Sequence, residues 1–211
     1  MPPDEVRLVV RAKNGDPEAF QALIDRYRKA VYTTIDRMVG GWYPNDLDDF
    51  AQDVFLKLFR AIPRFDFQRK TKFSTWMYTF VRNYCFDVMK RHASRPREAS
   101  LTNPEERGGE RAVLDDLPRP AAALLEAERR DVVRGALAAL PPRLREVVVL
   151  RQYEGLRFAE IGRIVGCNEG TAKARFHRAR AILRRRLLPY LKEGNLTGLG
   201  GSLESAAESE R

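Results

Sequence analysis

Apolar residues recur at a helical step along most of this chain, and the places where the recurrence stops divide it into parts. Residues 4–39 read as one or two helices. Gly15-Asp16-Pro17 supplies a break, a cap and a first-turn proline. After it, Phe20, Leu23, Ile24, Tyr27, Val31 and Ile35 fall at helical spacing, and Gly40-Gly41 closes the block. A second helix fits residues 46–61, broadly apolar through Leu47, Phe50, Ala51, Val54, Phe55, Leu58 and Phe59. Pro63 and the polar stretch 66–72 form a loop, and a third strong helix fits 74–91. Between residues 92 and 121 the pattern fails. Pro96, Pro104, Pro118, Pro120 and the Gly108-Gly109 pair lie among many charges, the composition of a linker. A helix resumes at 122–140, Pro141-Pro142 starts another over 143–153, and a short one fits 158–165. No stretch alternates with period two, and no internal repeat is present. The expectation is an all-α protein of two small helical domains, 1–92 and 122–193. A flexible linker, 93–121, joins them, and a Gly/Ser/Glu-rich disordered tail, 194–211, follows.

The last helix, 168–187, changes the picture from fold to chemistry. At about 100° per residue, Ala172, Phe176, Ala179 and Leu183 share one narrow apolar stripe. Lys173, Ala174, His177 and Arg178 fall on the opposite side, and Arg175 and Arg180 flank the two faces. One side can pack on a small domain while the other carries long donors and one small residue. A helix in a DNA major groove needs those two things, donors for bases and phosphates and room for close approach. Upstream, Gly166 suits the left-handed end of the helix 158–165, and Asn168 suits the cap of the next. Helix, glycine turn and capped basic helix make a helix-turn-helix pattern. The competing reading is an ordinary amphipathic surface helix.

Charge weighs on the side of DNA. The net charge is +9, and between Arg143 and Lys192 thirteen Lys or Arg face four acids, so the rest of the chain is near neutral. Concentrated charge points to a polyanionic partner. The linker region 92–131 carries seven basic and nine acidic residues, the opposite sign. Two cysteines, Cys85 and Cys167, form no disulfide framework and suit a reducing compartment. Cys167, in the turn, reads as a half-buried spacer, with a redox sensor as the alternative. No apolar run reaches a membrane span and no signal-peptide core opens the chain, so a cytoplasmic location without membrane insertion is expected. Enzyme chemistry finds little support. The only histidines, His92 and His177, sit at the linker and on the basic helix. There is no phosphate-cradling glycine loop, no metal-ligand spacing and no triad, so no catalytic residue, metal or cofactor is expected.

The first domain offers two surfaces. Asp46, Asp48, Asp49 and Asp53 crowd one helix with Gln52, partly as first-turn acids favoured by the helix dipole. Asp49, Gln52 and Asp53 stand at i, i+3 and i+4, one contiguous polar patch that is either a solvated face or a docking site. On the next helix Trp76, Tyr78, Phe80, Tyr84 and Phe86 interleave with Lys72, Arg82, Asn83, Lys90 and Arg91. Aromatics among cations suit single-stranded nucleic acid. Several of these rings must nonetheless be core, because one helix cannot turn all of them to solvent.

These segments together resemble the extracytoplasmic-function (group IV) sigma factors of bacterial RNA polymerase. The carrying motifs are Gly15-Asp16-Pro17-Glu18-Ala19-Phe20, Gln52-Asp53-Val54-Phe55, Phe73-Ser74-Thr75-Trp76 with Arg82-Asn83, Leu140-Pro141 with Val149-Leu150-Arg151, and Glu160-Ile161 with Gly170-Thr171 and His177-Arg178-Ala179-Arg180. They occur in family order from about residue 4 to residue 191. The resemblance implies that the first domain is sigma region 2, a helical bundle, and the second is region 4, a helix-turn-helix. It implies partners: core RNA polymerase, through the β′ clamp helices and the β flap, promoter DNA, and an anti-sigma factor. Asp49, Gln52 and Asp53 would meet the clamp helices. The loop 66–72 would capture a base flipped from the minus-10 element, with Lys72, Phe73, Trp76, Asn83 and Lys90 on that strand. Lys173, Ala174, His177 and Arg178 would face minus-35 bases, with Thr171, Arg175 and Arg180 on phosphates. Ala172 and Ala174 depart from the commoner valine and serine of the family. The implied function is promoter-specific transcription initiation without catalysis by the chain itself. Two further readings stand beside it: a dimeric DNA-binding repressor with the same helix-turn-helix, which would need neither the Trp76 helix nor the acidic patch, and a nucleolytic or RNA-modifying enzyme using the basic surface.

Overall fold

The computed structural model describes residues 3–67, 71–94 and 121–192. Most of the expected linker, the tail from 194 and residues 68–70 of the loop 66–72 lie outside the described residues. Within them are eight α-helices and no strand. The chain runs α1 (Pro3–Lys13), α2 (Pro17–Val39), α3 (Leu47–Ala61), a short 3-10 helix (Ile62–Arg64), α4 (Phe73–Ala93), α5 (Ala121–Ala138), α6 (Pro142–Gln152), α7 (Phe158–Val165) and α8 (Glu169–Lys192).

The first block is two helices, because Gly15 takes φ 85° and turns the chain between them. Asp16 then caps α2, its Oδ1 accepting from the backbone N–H of Glu18 at 3.0 Å and Ala19 at 3.1 Å. Along α3, Leu47, Ala51, Val54 and Leu58 are buried at helical spacing. They turn toward α2 and α4, where Val31, Ile35, Met77, Val81 and Cys85 complete the core. Tyr84 of α4 donates to Asp53 Oδ2 at 2.7 Å, tying α3 to α4.

In the C-terminal half, α6 is buried on every side from Leu144 through Leu150, including Arg145 and Glu146. A helix covered all round must be packed from more than one direction. Its neighbours explain it. α7 and α8 lie against one face, and α2, from the other half of the chain, lies against another. α2 also packs on α5, and α4 packs on α7. The two halves, expected as units joined by a linker, are thus in direct contact and share one core. Gly41 shows how close they come: a Cβ there would stand 2.8 Å from the Cβ of Ala138 on α5.

Candidate nucleic-acid interface

The helix-turn-helix is built by backbone chemistry that the sequence announces. Glu160 returns to accept from the Arg157 N–H at 3.0 Å and so opens α7. Gly166 ends it at φ 70°, ψ 43°, the left-handed region. Asn168 starts α8, its Oδ1 accepting from the Thr171 N–H at 2.7 Å. Phe158 of α7 meets Phe176 of α8 edge-on, ring centroids 5.5 Å apart.

Gly162 is a part of this unit that periodicity did not single out. A Cβ there would lie 2.6 Å from the carbonyl oxygen of Cys167. The Cys167 N–H also bonds the Gly162 carbonyl at 2.9 Å, so turn and helix touch backbone to backbone. Gly162→Ala is expected to destabilise the protein by about 1–3 kcal/mol, the usual cost of overpacking, and to weaken duplex DNA binding. Urea denaturation measures the first effect, and an unchanged midpoint would show that the turn yields.

Along α8 the two faces separate as the helical step requires. Ala172, Phe176, Ala179 and Leu183 are buried against the domain, while Lys173, Ala174, His177 and Arg178 are exposed. Thr171, Arg175 and Arg180 are half-buried at the flanks. Arg175 leans back toward the core, its Nη1 3.9 Å from Glu146 Oε1.

The α4 surface is mixed. Lys72, Asn83 and Lys90 are exposed. Phe73 is only 2% exposed. Its ring lies 5.6 Å from Phe65 and 5.6 Å from Trp76, and Trp76 also meets Phe80 at 4.7 Å. Phe73 is therefore core and packs against Trp76, which is half-buried. Tyr78 and Tyr84 are buried as well. Asn83 accepts from Arg82 Nη1 at 3.0 Å.

Asp49, Gln52 and Asp53 are all exposed on α3, although Asp53 is engaged by Tyr84. The polar patch continues into two exposed apolar residues, Leu56 at 46% and Phe59 at 50%. The sequence pattern places Phe59 among the apolar residues of this helix. The α3 stripe is broad enough that its rim escapes burial.

Carboxylates carry the electrostatics where the halves meet, and Asp36 Oδ1 of α2 pairs there with Arg134 Nη2 of α5 at 2.9 Å. Glu146 Oε2 pairs with Arg82 Nε at 2.8 Å, and Glu160 Oε1 pairs with Lys72 Nζ at 2.7 Å. Glu154 accepts from Thr34 Oγ1 at 2.8 Å and from the Tyr78 hydroxyl. Burial pushes the Glu146 carboxyl above its usual range, against the pull of Arg82, Arg175 and Arg143. Burial raises Glu160 too, but hydrogen bonds from Lys72 and the Arg157 amide outweigh it and hold the group below its usual value. The Cys85 thiol, fully enclosed, is pushed up to about 12 by burial and stays unreactive at neutral pH. None of these pairings was legible beforehand, because Arg82, Glu146 and Glu160 belong to segments far apart in sequence.

The described residues are helical and carry this turn and this basic face, and the comparisons give the class. The family model for Sigma-70 region 2 matches residues 23–95, and that for Sigma-70, region 4 matches residues 130–183. The ECF RNA polymerase sigma-E factor of Escherichia coli K12 is 30% identical over 189 residues, covering 88% of this chain and 95% of the relative. The ECF RNA polymerase sigma factor SigW of Bacillus subtilis is 31% identical over 180 residues, covering 85% and 94%. Among solved structures, CnrH in complex with the cytosolic domain of CnrY superposes with a TM-score of 0.62 at 26% identity, covering 87% of this chain and 96% of that one. The chain belongs to the extracytoplasmic-function RNA polymerase sigma factors, and its function is promoter-specific transcription initiation. No helix among the described residues is long and apolar enough to cross a membrane.

Proposed function

We propose that this sigma factor reads a minus-35 element with α8 and traps the opened minus-10 strand along α4, both while bound to core polymerase. The observation that carries the reading is the exposed quartet Lys173, Ala174, His177 and Arg178, opposite the buried stripe of α8. Those four address bases in the major groove, and Thr171, Arg175 and Arg180 address phosphates. Lys72, Trp76, Asn83 and Lys90 meet the opened strand, with Phe73 positioning Trp76 from the core. The units are residues 1–92 for region 2 and 122–193 for region 4, the second joined through the linker 93–121. Region 4 also contacts the β flap. Two weak sites on one chain gain by effective concentration when their spacing fits the promoter. The chain performs no chemistry of its own and works in the cytoplasm. An anti-sigma factor is a partner in the same reading, as CnrH is found bound by the cytosolic domain of CnrY.

Asp49, Gln52 and Asp53, with Leu56 and Phe59 beside them, dock on the β′ clamp helices. A polar rim beside exposed apolar side chains is the usual make-up of a protein interface. Run-off transcription with core polymerase over a randomised promoter library tests the whole reading. Enrichment of two spaced elements is expected, and enrichment of a single palindrome would favour the dimeric repressor. Asp49→Ala with Gln52→Ala is expected to weaken core binding about tenfold in a pull-down titration, while DNA binding by α8 is unchanged. Unaltered core affinity would leave the patch a solvated face.

A further inference from the structure

The first helix of the chain is tied to the approach into α4 at two points that periodicity does not announce. The buried face of α1 runs through Glu5, Val9 and Ala12, so a carboxylate stands where the helical stripe calls for an apolar residue. Glu5 is 5% exposed and accepts from the Tyr27 hydroxyl of α2. The Tyr27 ring centre lies 5.7 Å from that of Phe73, the first residue of α4. At the other end of α1, the Lys13 ammonium donates to the carbonyl of Phe65, 52 residues further along the chain. It also stands 5.4 Å from the centre of the Phe67 ring. α1 packs as well on the 3-10 helix that ends just before Phe65.

Phe65 is the hub of the aromatic cluster. It is 2% exposed, and its ring centre lies 5.0 Å from Phe67, 5.6 Å from Phe73 and 5.2 Å from Trp76. A shift of Phe65 or Phe73 is therefore felt at Trp76 and at Lys72, which directly precedes Phe73. The Lys13 ammonium is turned onto a carbonyl and a ring, so its influence on the strand runs through Phe65 and Phe67. A charged donor makes the stronger kind of hydrogen bond to that carbonyl, and the ring face adds a cation–π attraction.

We propose that α1 positions the minus-10 reading surface: Lys13 fixes Phe65 and Phe67, Glu5 fixes Phe73 through Tyr27, and together they hold Lys72 and Trp76 in place. The inference deepens the assignment of α4 to the opened strand and rests on it. Discrimination between bases requires that the groups meeting them be held to a fraction of an ångström by their supporting contacts. A support free to shift accommodates the wrong base nearly as well as the right one. Lys13 and Glu5 are thus positioning residues, and their loss should show in selectivity and not only in stability.

Three variants of the full chain, each assembled with core polymerase, test the proposal by run-off transcription over promoters randomised at the minus-10 or the minus-35 element. Lys13→Met keeps the unbranched stem and removes the charge and the donor. Lys13→Arg keeps both. Tyr27→Phe removes only the hydroxyl from which Glu5 accepts. Lys13→Met is expected to narrow the spread of activities across minus-10 bases about fivefold, and Tyr27→Phe about twofold, as a site loosens when its support is removed. The minus-35 spread should be unchanged in both, and Lys13→Arg should restore most of the minus-10 spread. Lower output with the minus-10 spread intact overturns the proposal, because Lys13 would then serve stability alone. Narrowing at both elements together overturns it too, since the effect would not be local to the α1 side of the protein. An unchanged profile in Tyr27→Phe overturns the part given to Glu5. If Trp76→Ala leaves the minus-10 spread intact, the assignment of α4 to the strand fails, and this inference falls with it.

Discussion

Arg145→Ala is expected to destabilise the folded chain by about 3 kcal/mol or more, the largest single effect outside the apolar core. The side chain is 1% exposed. Its guanidinium donates to the carbonyls of Met38, Ala138 and Leu140, the last at 3.1 Å, and lies 4.6 Å from the centre of the Trp42 ring. Met38 lies in the last turn of α2, Ala138 ends α5 and Leu140 follows it, so one cation ties together chain from both halves. Burial draws its pKa down to about 10, which still leaves it charged at neutral pH. Hydrogen bonds from a charged donor contribute roughly 1.5–3 kcal/mol each, and removing the donor strands three carbonyls away from water. Lysine should rescue little, because one ammonium nitrogen cannot stand where two separate guanidinium nitrogens, Nη1 and Nη2, meet the three carbonyls. Urea denaturation followed by circular dichroism checks this. A loss below about 1 kcal/mol would mean that water enters and satisfies the carbonyls.

The second large effect concerns specificity, where two arginines of α8 should fail in different ways. Arg178 is exposed with Lys173 and His177, whereas Arg175 is half-buried at the flank and leans toward Glu146. An arginine bidentate to guanine discriminates by roughly 1–3 kcal/mol. Arg178→Ala should therefore lower transcription about tenfold or more and relax preference at one minus-35 position. Arg175→Ala should weaken all sequences alike and reduce the salt dependence of binding by about one phosphate contact. Library selection with each variant at two salt concentrations measures both effects. A shift of base preference in Arg175→Ala, with preference intact in Arg178→Ala, would require a different rotation of α8 in the groove.

These expectations draw on different layers of information. The rotation of α8 follows from residue spacing alone, since a helix with one apolar stripe has one way to face a core. Ala172, Phe176, Ala179 and Leu183 are buried accordingly. The same holds for the turn before it, because Gly166 and Asn168 suit a left-handed exit and a cap for local steric and hydrogen-bonding reasons. Element ends moved by a few residues. α8 runs on to Lys192, and α4 spans Phe73–Ala93 rather than 74–91. The aromatic helix was ambiguous from sequence for a physical reason: rings serve equally as core and as stacking platforms. Only packing shows that Phe73, Tyr78 and Tyr84 are interior while Trp76 reaches the edge.

By itself, then, the sequence determined the helices, their caps, the basic face of α8 and the family, all of which depend on residues near one another along the chain. The tertiary structure decided what depends on residues far apart. It packed α6 of the C-terminal half against α2, buried Arg145 and Glu146 there, brought Gly162 against the Cys167 carbonyl, and set Glu160 beside Lys72. Periodicity cannot carry such information. An arginine or glutamate in an amphipathic pattern reads as surface until a second element arrives to cover it, and which element arrives is a property of the whole fold.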